Sequence, residues 1–193
     1  MHSLFEKRSA LIFPGVGVRL SGAEIEFFKT HRASMNSLFN EASSYCKENL
    51  EALLFENKID ELPDEKKQFF TFAFSCGAAD AAKKVIKPTA AAGYSFGIYA
   101  ALYSAGVCSF SDGLFLVDKA ATIMKEASEN TNSGMGIVVG LTREDIDFVM
   151  ADLSLSTVLV TNVNHAHCHV VSGLSQEINL FLTETAARGA FKS

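Results

Sequence analysis

Ala92-Gly93-Tyr94-Ser95-Phe96-Gly97-Ile98-Tyr99-Ala100-Ala101-Leu102 decides the fold, because a small apolar run feeds a Gly-x-Ser-x-Gly pentapeptide that opens directly into an Ala/Leu/Tyr pattern of helical spacing. This is the layout of a nucleophile elbow, a serine at the sharp turn between a strand and a helix. Such a turn strains the serine backbone, and only small neighbours tolerate it. Gly93 and Gly97 let strand and helix approach closely. Ser95 then projects its hydroxyl from the apex, with the positive end of the helix beneath it, and the Phe96 N–H points at an oxyanion developing there. The same pentapeptide also serves as a purely structural turn. Ser95 is therefore a candidate nucleophile whose context the rest of the chain must supply.

Upstream, Ser9-Ala10-Leu11-Ile12-Phe13 reads as a short buried strand that stops at Pro14-Gly15. The segment Val16-Gly17-Val18-Arg19-Leu20-Ser21-Gly22 is either a connector or a loop whose glycines bring backbone donors close to something bound. Apolar residues recur at helical spacing from Ala23 to about Asn57, which predicts two helices, and Asn57 to Asp64 reads as a loop. Glu65 to Lys87 predicts one long buried helix ended by Pro88, with Phe69, Phe70, Phe72 and Phe74 as core packing. Thr89 to Gly93 forms the strand into the elbow, and Phe96 to Gly106 the helix out of it.

Downstream, Ser109-Phe110-Ser111-Asp112 offers caps for a helix to about Glu129. The polar break Glu129-Asn130-Thr131-Asn132-Ser133 marks a change of pattern. Short elements follow: a strand at Gly134 to Leu141, a helix from Thr142 with Asp145 completing its cap, strands near Val158 to Val163 and His169 to Ser172, and a helix from Ser175 to Arg188. That order is most of a ferredoxin-like βαββαβ unit without its final strand. The expected architecture is α/β, with a parallel-sheet core in residues 1–130 and a small α+β subdomain in residues 131–193.

Composition narrows the function. The formal charge is −5, with acids and bases dispersed, so no basic stripe is offered to nucleic acid. No apolar run is long enough for a membrane helix and the N-terminus lacks a signal peptide's apolar region, so a cytoplasmic protein is expected. Cys46, Cys76, Cys108 and Cys168 are widely spaced without C-x-x-C pairs, which suits reduced thiols.

Taken in order, Leu11-Ile12-Phe13-Pro14-Gly15-Val16-Gly17, the elbow from Gly93 to Ala101, Ala105-Gly106-Val107 leading to Leu116-Val117, and Asn162-Val163-Asn164 leading to Val170-Val171-Ser172-Gly173 resemble the acyltransferases of the malonyl-CoA:acyl-carrier-protein transacylase family, which includes those of polyketide synthases. The resemblance spans nearly the whole chain. It implies a hydrolase-like core carrying a ferredoxin-like subdomain. It also implies ping-pong transfer in fatty-acid or polyketide biosynthesis, in which a coenzyme A thioester acylates Ser95 and the phosphopantetheine thiol of an acyl carrier protein deacylates it. No cofactor or metal is implied. By the same resemblance the backbone N–H groups of Val16 and Phe96 form the oxyanion hole, and Tyr94 and Ala120 stand at substrate-binding positions.

Three departures stand out. Val16 replaces the family's common Gln, which leaves a backbone donor intact. Tyr94 stands where the family has His. Ala120 holds the place of the arginine expected to pair with a malonyl carboxylate, so that anchor is absent. A serine hydroxyl also needs a histidine to take its proton, and the resemblance places that residue roughly ten positions beyond Ser193. His2, His31, His165, His167 and His169 are not substitutes. The last three alternate, so on one strand they would share a face and could chelate a metal, although solvent-facing side chains are the expectation. An acyl-carrier-protein hydrolase on the same fold and a non-catalytic carrier-protein docking module are alternatives. The chain is expected to be an incomplete catalytic unit that self-associates or binds a second polypeptide.

Overall fold

A computed structural model of the chain describes residues 8–191 other than 16, 18, 19 and 130. The described residues divide into two compact units, one up to Ile123 and one from Met124. The division falls inside a helix, α6 (Phe110–Glu129), rather than at the polar break after it. Side chains 122–128 on its last turns are exposed.

In the first unit, β1 (Ala10–Phe13) pairs in parallel with β2 (Ala90–Gly93), Ala10 opposite Ala90 and Phe13 opposite Gly93. Between them come α1 (Ala23–Thr30), α2 (Arg32–Cys46), α3 (Leu50–Phe55) and α4 (Asp64–Ala82), and α5 (Gly97–Ser104) follows β2. Three helices thus fill the span where two are expected. Lys47 takes a left-handed turn (φ 58°) at the end of α2, and the Asn49 side chain then caps α3 by accepting from the Ala52 N–H. The expected loop after it contains a single 3-10 turn, Ile59–Glu61. Helix α4 stops at Ala82, short of Lys87, because i→i−3 bonds from Lys84 and Val85 to Ala81 and Ala82 tighten its end before Pro88 forces extension.

Helix α4 is apolar around most of its circumference, so it can be stable only where neighbours enclose it. Phe69, Phe70, Phe72, Ala73 and Cys76 are all buried, as their spacing predicts. Phe39 of α2 sets its ring edge-on to Phe28 at 4.8 Å and to Phe70 at 5.8 Å, and Phe72 stacks on Phe110 at 5.0 Å. Among the described residues no helix is long and apolar enough to cross a membrane.

The second unit is a three-stranded antiparallel sheet in the order β3 (Ser133–Val139), β5 (Cys168–Leu174), β4 (Leu159–His165). Helices α7 (Arg143–Asp152) and α8 (Ser175–Ala187) complete it. Element order and strand order are those of a ferredoxin-like unit whose fourth strand would lie beside β3. The chain after α8 returns to that edge, where the Phe191 N–H donates to the Val139 carbonyl (2.7 Å). Thr142 and Asp145 form the expected capping box on α7: each backbone N–H donates to the other's side chain, at 2.9 and 3.2 Å.

The alternating histidines do not share a strand. His165 ends β4, His167 lies in the turn, and His169 is in β5, wholly buried rather than solvent-facing. Among the described residues no group of three potential ligands could hold a metal ion. Neither ring nitrogen of His169 finds a partner among those residues. Burial pushes this imidazole below its ordinary range; Arg143 and His167 reinforce the shift, while Asp147 and Glu144 oppose it. The folded unit thus favours the neutral ring, and the unfolded chain binds the proton first as pH falls below about 6.5. Stability is therefore expected to be full at neutral pH and to decline progressively below that value. Denaturant unfolding between neutral and mildly acidic pH should show this slope for the native chain, and a His169→Leu variant should lose most of it.

Candidate active site

The turn after β2 is built from backbone alone. The Tyr94 N–H donates to the Phe13 carbonyl (2.9 Å), carrying the pairing one residue beyond the strand. The chain then reverses at Ser95, which lies in the left-handed region at φ 51°. N–H groups of Gly97 and Ile98 donate to the carbonyls of Tyr94 (2.9 Å) and Ser95 (3.1 Å), closing the first turn of α5. Nothing larger than glycine fits on either side. A Cβ on Gly93 would stand 2.1 Å from the Gly97 carbonyl carbon, and one on Gly97 would stand 2.4 Å from the Phe13 carbonyl oxygen. Strand and helix therefore meet closer than any side chain permits.

Ser95 is exposed at the apex, and its Oγ makes no hydrogen bond to a described residue. Phe96 takes helical angles (φ −57°, ψ −19°), and its N–H likewise donates to no described residue. An unengaged N–H at the start of a helix beside an exposed hydroxyl is the donor an oxyanion would need. The loop after β1 abuts this point: a Cβ on Gly15 would lie 3.0 Å from the Tyr94 carbonyl oxygen and 3.2 Å from Ser95 Cβ. Val16, the second expected donor, lies outside the described residues.

Tyr94 is half exposed next to the serine. Ala120 is partly buried on α6. Lys119, its cationic neighbour, sets Nζ 3.9 Å from Asp118 and 5.5 Å from the Phe115 ring centre, so it is engaged along its own helix.

One further group emerges from the structure. Gln68 of α4 lines a small cavity together with Phe96, Gly97 and Val117, and its Oε1 is shielded from solvent with no partner among the described residues. Thr71 and Ser75 share that cavity and also border a larger one, about 630 Å³, reaching Pro14 and Gly17. Sequence reasoning passed over these residues because Phe69, Phe70, Phe72 and Phe74 dominate the segment. The available signal was a polar line at i, i+3, i+7 on an otherwise apolar helix.

A strained serine between a parallel strand and a helix, joined in one chain to an antiparallel α+β unit, defines an α/β protein of the nucleophile-elbow class. In sequence the chain is similar to the polyketide biosynthesis malonyl CoA-acyl carrier protein transacylase PksC of Bacillus subtilis (strain 168), with 32% identity over 183 residues, covering 90% of this chain and 60% of that protein. It is also similar to the malonyl CoA-acyl carrier protein transacylase of the same organism, with 30% identity over 175 residues, 89% of this chain and 55% of that protein. In fold it matches a malonyl-transacylase solved in complex with its type II polyketide acyl carrier protein, with a TM-score of 0.84 and 26% identity over 96% of this chain and 61% of that one. The malonyl-CoA:acyl carrier protein transacylase of Xanthomonas oryzae pv. oryzae matches at 0.80 and 28%, over 97% and 60%. No family model matches the chain. It spans about three-fifths of the length of these relatives, so the likeness is to a partial region of the malonyl-CoA:acyl-carrier-protein transacylases.

The elbow makes opposite demands at positions two residues apart. Gly97→Ala drives a Cβ into the β1 carbonyls and is expected to destabilise the first unit by about 3 kcal/mol or more. Ser95→Gly releases the left-handed strain and is expected to stabilise it by about 1 kcal/mol. Denaturant midpoints of the two variants test both signs.

Proposed function

We propose that the chain carries the serine-bearing part of an acyltransferase that moves an acyl group from coenzyme A to an acyl carrier protein in fatty-acid or polyketide biosynthesis. The observation that carries this reading is Ser95 at φ 51° in a turn whose flanking glycines touch backbone. Similarity to a polyketide-biosynthesis malonyl CoA-acyl carrier protein transacylase and to a second malonyl CoA-acyl carrier protein transacylase supports it.

In this mechanism Ser95 Oγ attacks the thioester carbonyl while a base removes its proton. The resulting oxyanion accepts from the Phe96 N–H and, as the resemblance implies, from that of Val16. The tetrahedral adduct collapses with loss of coenzyme A as the thiol, which takes the proton. The carrier's thiol then attacks the ester carbonyl, and Ser95 leaves with its proton restored. The N-terminal end of α5 adds on the order of 0.3–1 kcal/mol of attraction for the negative charge. In this reading the base is a histidine that, as the resemblance implies, belongs to the part of the transacylases that the chain does not span. Tyr94 borders the substrate, in the place of the family's histidine.

Intact-mass measurement with acetyl-CoA, using imidazole as an external base, tests the nucleophile. A single acyl adduct is expected on the unmutated chain and none on Ser95→Ala. An adduct that survives in Ser95→Ala, or none on either chain, rules the reading out. Adding a carrier protein with a free phosphopantetheine thiol should clear the adduct. Equally fast clearance without carrier would mark a hydrolase instead.

Acyl preference follows from Ala120. An arginine pairs with a malonyl carboxylate through two parallel hydrogen bonds, a strong arrangement in a dry site. Without it the carboxylate is desolvated unpaired, whereas a neutral acyl group loses nothing. Lys119 does not substitute, because it is held toward Asp118 and Phe115. In competition, acetyl-CoA is expected to load Ser95 faster than malonyl-CoA, and Ala120→Arg should raise malonyl loading by about tenfold or more. Preference of the unmutated chain for malonyl would show that another residue provides the anchor.

A further inference from the structure

The small cavity beside the elbow measures about 10 Å³ and is lined by Phe96 and Gly97, by Gln68, Thr71 and Ser75 of α4, and by Pro14 at the exit of β1. That is about the space one water needs. Its polar groups are short of partners. Gln68 Oε1 is shielded from solvent and accepts from no described residue. Ser75 is only 8% exposed, and its hydroxyl bonds to no described residue. The Thr71 hydroxyl donates to the Lys67 carbonyl (3.0 Å), which leaves its oxygen able to accept. The Pro14 carbonyl oxygen is turned toward the elbow, since a Cβ on Gly97 would stand 2.7 Å from it.

Gln68, Thr71 and Ser75 follow one another at i, i+3 and i+7, so they present their polar ends along one face of α4. A buried acceptor without a donor raises the free energy of the fold, and native proteins pair nearly all such groups. The chemistry of the lining selects what can pair these. An apolar guest leaves Gln68 Oε1 unsatisfied, and an anion meets acceptors. A cation finds no carboxylate among the lining residues to offset its loss of hydration. A water brings two donors and two lone pairs, and the volume admits nothing larger.

We propose that this cavity binds one structural water, which donates to Gln68 Oε1 and ties α4 to the elbow through Ser75, Thr71 and Pro14. The site does not depend on the acyl-transfer reading, because it stands whether or not Ser95 is ever acylated. Deuterium magnetic relaxation dispersion on the full chain, which detects waters that exchange slowly, is the test. Gln68→Met keeps the length of the side chain but removes the amide, and is expected to lose one long-lived water. Gln176→Met, at an exposed position of α8, is expected to lose none. In Gln68→Met the Gly97 amide, whose bond to the Tyr94 carbonyl closes the turn, should exchange about tenfold faster. Ser75→Ala separates the water from a merely structural serine by sign. Loss of a bond to the water raises the unfolded-to-folded ratio about tenfold, whereas helix propensity alone lowers it about twofold. An unchanged water signal in Gln68→Met, unaltered exchange at Gly97, a stability gain in Ser75→Ala, or a slow site that titrates with sodium would each overturn the proposal. If Gln68→Met does not fold, Ser75→Ala decides by itself.

Discussion

Backbone packed directly on backbone is the contact on which the first unit depends. Helix α5 starts with Gly97 against the carbonyls of Phe13 and Pro14, and Gly93 lies against Gly97 and Ile98. No side chain separates the end of the sheet from the helix that follows it. Because van der Waals contact is reached at the backbone, the helix axis cannot be lifted away without breaking the bonds from Tyr94 to Phe13 and from Gly97 to Tyr94. The left-handed serine costs on the order of 1–3 kcal/mol. That cost is offset by the same contacts, which leave the chain no unstrained route from β2 into α5.

The elbow in turn needs a rigid backing, and α4 supplies it. A helix apolar on nearly every side can be held only by being surrounded, and the rings of Phe28, Phe39 and Phe70 meet edge to face around it. Such pairs each contribute about 0.5–1.5 kcal/mol beyond their buried area. Their geometry fixes orientation as well as separation. Gln68, Thr71 and Ser75 interrupt the apolar surface of α4 where it approaches Pro14 and Phe96. There the scaffold presents polar groups to the turn.

Much of this was legible in the sequence, for a definite reason. Gly93, Ser95 and Gly97 announce the turn because only those residue types satisfy its backbone constraints, and Thr142 with Asp145 announces α7 because a capping box is a local hydrogen-bond pattern. Features set by tertiary contact were not legible. The early end of α4 and the break at Lys47 depend on how the chain must reverse. Alternation of His165, His167 and His169 predicts one face of one strand, yet a hairpin turn between them undoes the period and leaves only His169 inside. Gln68 was obscured because a polar residue at the start of a phenylalanine-rich helix reads as its solvated end.

In the proposed reaction, the placement of Ser95 and the supply of its base are separable. Contacts within the first unit hold Ser95 at its unusual angle: the glycine contacts, the two bonds that close α5, and Gly15 against the serine's Cβ. The hydroxyl itself contributes no bond to a described residue, so its orientation is free to follow whichever base approaches. On the proposed reading, these contacts position the attacking oxygen, while proton removal calls for a group that they neither need nor exclude. A turn held by these contacts stores its strain locally. On the proposed reading, a base would then act on a serine already in place, lowering the barrier through proton transfer rather than by building the elbow.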